Sequence, residues 1–391
     1  MKRVLFVIDT LRMGGAEKSL VSLLKALDPN RIKVDLFVFE QGGVLQSEVP
    51  DWVSIIAADT LTSGMTLEIR NYLGKLVKSG HIRAAIVRLY ISLKSRILKN
   101  NGFSWGIIKR YIPELQESYD IAIGYLEGVP DFFVLDKVKA EKKIGWIHID
   151  YSTRRLSAEE IEYYNRFDEL VTISNICRNA FINIIPQVKS KIRVLENIVL
   201  IDEVRKKALV EVPDSWDDSD VVQLVSVGRL DYQKGMDIAA RAAKVLVDRN
   251  VSFCWHVYGK GVMKDEIEQY IKDQGIEDSF ILEGIRENPY PYIKKATIIV
   301  QPSRFEGKSI VLDEAKILGK AIVVTSYPTV TDQIVDRVTG LITNIDPEAI
   351  ADGIEILMNN IELRKTLESN AANEQNDSYK VLYAFYKLIE E

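Results

Sequence analysis

The sequence predicts an α/β protein made of two doubly wound parallel-sheet domains. Short runs that are apolar throughout alternate with amphipathic helical patterns along almost the whole chain. Strands buried on both faces read this way, and helices between them make the sheet parallel. The alternation runs twice, and 391 residues are long for one core but comfortable for two.

In the first half, RVLFVI (3–8) is the first strand, GAEKSLVSLLKALD (15–28) its helix and KVDLFVF (33–39) the next strand. DIAIGYL, KKIGWIHI and ELVTIS continue the series. The second half repeats it with VVQLVSVG, the helix GMDIAARAAKVLVD, then SFCWHVYG, SFILEG, ATIIVQPS and AIVVTS. Between the two series the acidic stretch 211–220 breaks the hydrophobic pattern. The expected domains are therefore 1–200 and 221–375, joined by a linker at 201–220. The amphipathic stretch 376–391 is a helix able to cross back to the first domain.

Composition narrows the function. The chain is 47% hydrophobic and 27% charged, with net charge −5, which offers no global attraction to nucleic acid. No apolar run reaches the roughly 18 residues of a membrane span. At the N-terminus the apolar run is only VLFVI, closed by Asp9 and Arg12, so it reads as a buried strand rather than a signal peptide. Cys177 and Cys254 fit no metal or disulfide pattern, and a reducing cytoplasm is expected.

Residues 66–110 stand apart. They follow helical spacing and carry ten Lys or Arg against one acid, Glu68. Two readings stay open: a basic amphipathic surface for anionic lipid, and a helical insertion with one packed and one solvated face.

The segment EGKSIVLDE (306–314) places Glu306 on a loop after a strand and Glu314 about two turns into the next helix. Eight helical residues rise about 12 Å, roughly the reach from the sugar of a nucleotide sugar to its ribose. Backbone N–H groups of Gly307, Lys308, Ser309 and Ile310, at the helix start between them, can hold a diphosphate. Arg229 and Lys234 follow an earlier strand at its carboxyl end, where open α/β sheets bind ligands, and both can reach one diphosphate. Gly14 and Gly15 precede the first helix and allow close backbone approach.

Three histidines are present. His148 ends a strand, His256 lies inside one and reads as structural, and His81 falls in the basic segment and reads as solvated. Asp218-Ser219-Asp220 is a formal DxD in the acidic linker and reads as solvation, so no metal site is expected. GxGxxG, P-loop and GxSxG patterns are absent.

In order, GGAEKSL, IGWIHIDY, RFDELVTIS, VLENIV, VGRLDYQKG and PSRFEGKSIVLDEAKILGKAIVVT resemble glycosyltransferase family 4, retaining enzymes of the GT-B fold. The resemblance covers nearly the whole chain. It implies two facing Rossmann-like domains, with the acceptor bound by the first and the donor by the second. It assigns Glu306 to the hydroxyls of the transferred sugar and Glu314 to the ribose diol. Arg229, Lys234 and the N–H groups at 308–310 would take the diphosphate. His148 would sit near the reacting sugar, and Gly15 would admit the donor phosphate. Lys308 departs from the apolar residue common there and leaves the sugar preference open.

The function expected is transfer from a nucleoside-diphosphate sugar, UDP-linked, to a saccharide or lipid-linked acceptor, without metal or cofactor. A peripheral place on the inner face of the membrane is expected. The alternatives are a sugar-nucleotide epimerase on the same fold and a non-catalytic partner subunit.

Overall fold

The computed structural model describes residues 1–98, 104–152, 154–212, 216, 221–374 and 378–391. They form two compact units, one of residues 1–198 with 379–391 and one of residues 199–378.

The first unit is built on seven strands: β1 (Lys2–Thr10), β2 (Ile32–Glu40), β3 (Ser54–Ala57), β4 (Ser118–Gly124), β5 (Lys139–Ile147), β6 (Glu169–Thr172) and β7 (Ile192–Val194). Their order is β3-β2-β1-β4-β5-β6-β7, with every neighbouring pair parallel. The apolar run of β1 puts Val4 to Ile8 entirely out of water at the centre of this sheet. Strand order reverses between β1 and β4, so the carboxyl ends of these two strands flank the place where such sheets take ligands.

The second unit repeats the design with β8 (Val222–Val227), β9 (Phe253–Tyr258), β10 (Phe280–Gly284), β11 (Ile298–Gln301), β12 (Ala321–Thr325) and β13 (Leu341–Thr343). The order is β10-β9-β8-β11-β12-β13, again all parallel, and the reversal falls between β8 and β11.

One boundary differs from the expectation. The stretch read as a linker from 201 begins with the helix Ile201–Lys207, which packs into the second unit through Val204 beside Val199 and Ile310. Asn288 fixes its end by donating to the Lys207 carbonyl at 2.8 Å. Residues 218–220, with the formal DxD, lie outside the described residues. The C-terminal helix Ser378–Glu390 belongs to the first unit from Tyr379 onward. Phe385 stacks on Phe6 of β1 at 6.0 Å, and the Asp28 N–H donates to the Tyr386 hydroxyl at 2.7 Å.

The basic segment is not one helix. It spans the end of Thr60–Thr66, then Ile69–Lys78, Ile82–Leu98 and Trp105–Ile108, between β3 and β4. Gly80, at φ +82°, makes the turn between the second and third of these helices. Leu76, Ala84, Ala85, Ile91 and Trp105 enter the core of the first unit.

Candidate active site

In the second unit, β8 ends at Val227 and the loop Gly228–Gly235 leads into the helix Met236–Asp248. Gly235 adopts φ +65°, and a Cβ there would lie 2.1 Å from the Pro302 carbonyl oxygen. Only glycine lets this loop run against the end of β11. Within the loop the Lys234 N–H donates to Asp231 Oδ1 at 3.0 Å. Arg304 ties the two strand ends together. Its guanidinium forks onto Asp237 at 2.7 and 2.6 Å and lies 4.1 Å from the Tyr232 ring centroid.

These constraints bring Lys234 and Glu306 together. Lys234 Nζ donates to Glu306 Oε1 at 2.6 Å, with the two side chains 16% and 6% exposed. Removing one partner from an ion pair this shielded costs far more than removing one from a surface pair. Glu306 Oε1 also accepts from Ser303 Oγ at 2.6 Å and Gln301 Nε2 at 3.3 Å. Among the described residues Oε2 receives only a long bond, 3.4 Å, from Gln233 Nε2. The carboxylate is thus fixed through one oxygen and keeps acceptor capacity on the other.

Arg229 does not meet Glu306 directly. Its guanidinium donates to Gln233 Oε1 at 3.1 Å and pairs with Asp231 at 3.2 Å, and it stays 61% exposed. Gln233 therefore links Arg229 to Glu306. The sequence reading overlooked it, along with Gln301 and Ser303.

Glu314 lies in the helix Ile310–Ile317 and is 1% exposed. Tyr290 donates its hydroxyl to Glu314 Oε1 at 2.8 Å. Because that helix starts only at Ile310, Glu314 sits little more than one turn in, not two. The diphosphate cradle needs a second correction. The Ser309 N–H, expected to face a ligand, donates to Gln333 Oε1 at 2.7 Å, and Gln333 Nε2 returns a bond to the Ser309 carbonyl at 2.8 Å. A glutamine 24 residues downstream occupies that donor. Lys308, beside it, is half-buried.

In the first unit, Gly14 caps the helix Gly15–Ala26, so both glycines lie beyond the carboxyl end of β1. His148 directly follows β5. Its backbone N–H donates to Glu127 Oε2 at 2.9 Å. Its ring lies against Tyr125 and Trp146, with centroids at 5.0 and 6.2 Å. Burial pushes the imidazole down to about 3, so it is neutral at neutral pH. The ring bonds the Tyr125 backbone, and Nε2 is buried with no partner among the described residues. With the other nitrogen donating, Nε2 presents a lone pair able to accept an O–H.

Around His148 stand acids that the sequence reading did not select. Burial raises the Glu127 carboxyl, and burial together with Glu127 raises Asp131. Burial, then Glu17 and Glu127, pushes Asp9 up to about 7. A carboxyl that holds its proton more tightly folded than unfolded costs nothing below about pH 4, where both states are protonated. Stability then falls as pH rises toward 7. An Asp9→Asn variant is expected to flatten the loss of stability between about pH 4 and 7, by at most about 4 kcal/mol for the full shift. Denaturant midpoints measured across that range for both proteins check this. Equal slopes would show Asp9 ionised throughout.

His256 is structural, as expected: it bonds Glu283 at 2.8 Å and Gln223 at 3.2 Å and stacks on Trp216. His81 is half-buried rather than fully solvated.

Known proteins resemble this chain in sequence and in fold. Residues 214–374 match the family model for glycosyl transferases group 1. An N-acetylgalactosamine-N,N'-diacetylbacillosaminyl-diphospho-undecaprenol 4-alpha-N-acetylgalactosaminyltransferase of Campylobacter jejuni is 30% identical over 186 residues, 46% of this chain and 48% of that protein. A poly(ribitol-phosphate) alpha-N-acetylglucosaminyltransferase of Staphylococcus aureus is 24% identical over 306 residues, 75% of this chain and 59% of that protein. The chain thus spans about half the length of the curated relatives it matches. Among solved structures, Anabaena HepE with UDP and glucose superposes over the whole of both chains with TM-score 0.71 and 16% identity. A variant of S. aureus TarM with UDP bound does so with TM-score 0.69 and 16% identity. The chain has the GT-B fold that these structures share, and its residues 214–374 match the glycosyl transferases group 1 family model.

Proposed function

We propose that this chain transfers a sugar from a UDP-linked donor to a hydroxyl of a saccharide or lipid-linked acceptor, with retention at the anomeric carbon, in cell-envelope glycan synthesis. The observation that carries the reading is the shielded Lys234–Glu306 pair at the β8/β11 reversal, with Glu314 on the helix that follows. The names of relatives acting on an undecaprenol-diphosphate glycan and on poly(ribitol-phosphate) support the acceptor class.

In this reading Glu306 Oε2 accepts hydroxyls of the sugar and Glu314 holds the ribose diol. Lys234 turns from Glu306 toward the diphosphate, Arg229 reaches it from the exposed side, and backbone N–H groups at Gly307, Lys308 and Ile310 assist. These cations stabilise the charge that develops on the leaving phosphate. Gly14 and Gly15 admit the donor, and neutral His148 accepts a sugar hydroxyl at Nε2. The C1–O bond to phosphate breaks, the acceptor oxygen bonds C1 from the same face, and its proton passes to the leaving diphosphate. No metal takes part, so transfer persists in the presence of a chelator. The site works on the cytoplasmic side of the membrane.

Thermal unfolding with a panel of UDP, GDP and ADP sugars tests the donor. A UDP sugar at about 100 times its Kd is expected to add roughly 2.7 kcal/mol of stability, a rise of a few degrees. Silence toward the whole panel would favour a non-catalytic partner subunit. Conversion of the donor with no acceptor present would favour an epimerase.

A further inference from the structure

The helix Ile82–Leu98 has two apolar faces, and among the described residues the fold uses one of them. Ala84, Ala85 and Ile91 are 3–5% exposed and join the core of the first unit. Arg88 lies on the same side and donates to the Leu67 carbonyl at 2.6 Å. At about 100° per residue, Ile82, Ile86, Leu89, Tyr90, Leu93 and Ile97 share one arc of roughly 100° on the other side. These six side chains are 45–79% exposed. Single large apolar side chains in water are ordinary, but a continuous stripe over about four turns marks a surface that binds something.

Charge selects the partner. Arg83 and Lys94 are exposed and fall at one edge of the stripe. Arg70, Lys75 and Lys78 are exposed on the preceding helix Ile69–Lys78. Across residues 66–98 the single acid is Glu68. A second copy of this face would bring cations against cations with almost no carboxylate to pair them. An anionic bilayer meets both requirements: acyl chains take the stripe, and headgroup phosphates take the cations.

We propose that the helix Ile82–Leu98 lies in the plane of an anionic lipid surface, with its free apolar stripe at the headgroup–acyl boundary. This places the first unit on the membrane whatever the donor chemistry, because lipid binding needs no nucleotide sugar.

Vesicle flotation of the full chain tests the proposal, without any sugar donor. The chain is expected to float with vesicles containing phosphatidylglycerol and less with pure phosphatidylcholine, and added salt is expected to weaken the binding. Arg83→Glu/Lys94→Glu is expected to lower partitioning by roughly tenfold or more. Ile86→Ser/Leu93→Ser should lower it comparably and leave the unfolding midpoint within experimental error, because both positions are exposed. A wild-type chain that floats with neither vesicle, or variants that bind as wild type does, would overturn the proposal. Self-association lost in Ile86→Ser/Leu93→Ser, with no vesicle binding, would give the face to a second copy instead.

Discussion

Glu306→Gln is expected to lower sugar transfer by about a hundredfold or more and to weaken the second unit by a few kcal/mol. The amide is close to isosteric, so Ser303 and Gln301 still find an acceptor near the position of Oε1. What disappears is charge. Lys234 keeps its ammonium, 16% exposed, with its counterion gone. Breaking a shielded pair from one side costs about 3–5 kcal/mol, because the remaining charge stays desolvated. The double variant Glu306→Gln/Lys234→Met separates the two effects. It removes both charges, so most of the stability should return while transfer stays low. Denaturant midpoints and initial transfer rates on the same preparations read this out. Recovery of transfer together with stability would mean that the pair holds the loop and plays no part in the chemistry.

Gly235→Ala is expected to destabilise the second unit by about 2–4 kcal/mol, a large effect for one methyl group. Two penalties act together. Alanine at φ +65° is strained, and its Cβ would lie 2.1 Å from the Pro302 carbonyl oxygen. That oxygen is backbone, so relief requires the loop Gly228–Gly235 and the end of β11 to move apart. Lys234 is the neighbouring residue, and Glu306 follows Pro302 by four residues, so the Lys234–Glu306 distance must open as well. Amide hydrogen exchange should quicken in the peptides spanning β8 and β11 and stay unchanged in β1 and β4. Unchanged exchange in β8 and β11 would show that the loop absorbs the methyl without strain.

The long buried strands were legible because burial on both faces leaves an unbroken apolar run. The exceptions are the short edge strands β3, β7 and β13, of three or four residues each. β7 sits in a stretch that read as the approach to the linker, and three residues are too few for a period. The helix Ile201–Lys207 was assigned to that linker, since its one fully buried contact, Val204, depends on residues a hundred positions away. In the site, charged residues at telling spacings were visible: Glu306, Glu314, Arg229 and Lys234. The neutral groups that fix them were not. Gln233, Gln301, Ser303 and Tyr290 acquire their roles only from neighbours that folding supplies, and nothing in a glutamine at 333 announces that it will take the Ser309 N–H. The acids Asp9, Glu127 and Asp131 could have been found. Each follows or ends a strand in the region where His148 was sought, and the stretch LEGVPD after β4 holds two of them.

The central claim is that the segment 306–314 and the loop 228–235 together hold a nucleotide sugar for transfer. The most direct test is incubation of the wild-type chain and Glu306→Gln with radiolabelled UDP sugars and a lipid-linked or polyol-phosphate acceptor. Label is expected in the acceptor with the wild-type chain, in the same anomeric configuration as the donor, and to fall by about a hundredfold with Glu306→Gln. Equal label from both proteins, or inversion at the anomeric carbon, would contradict the account.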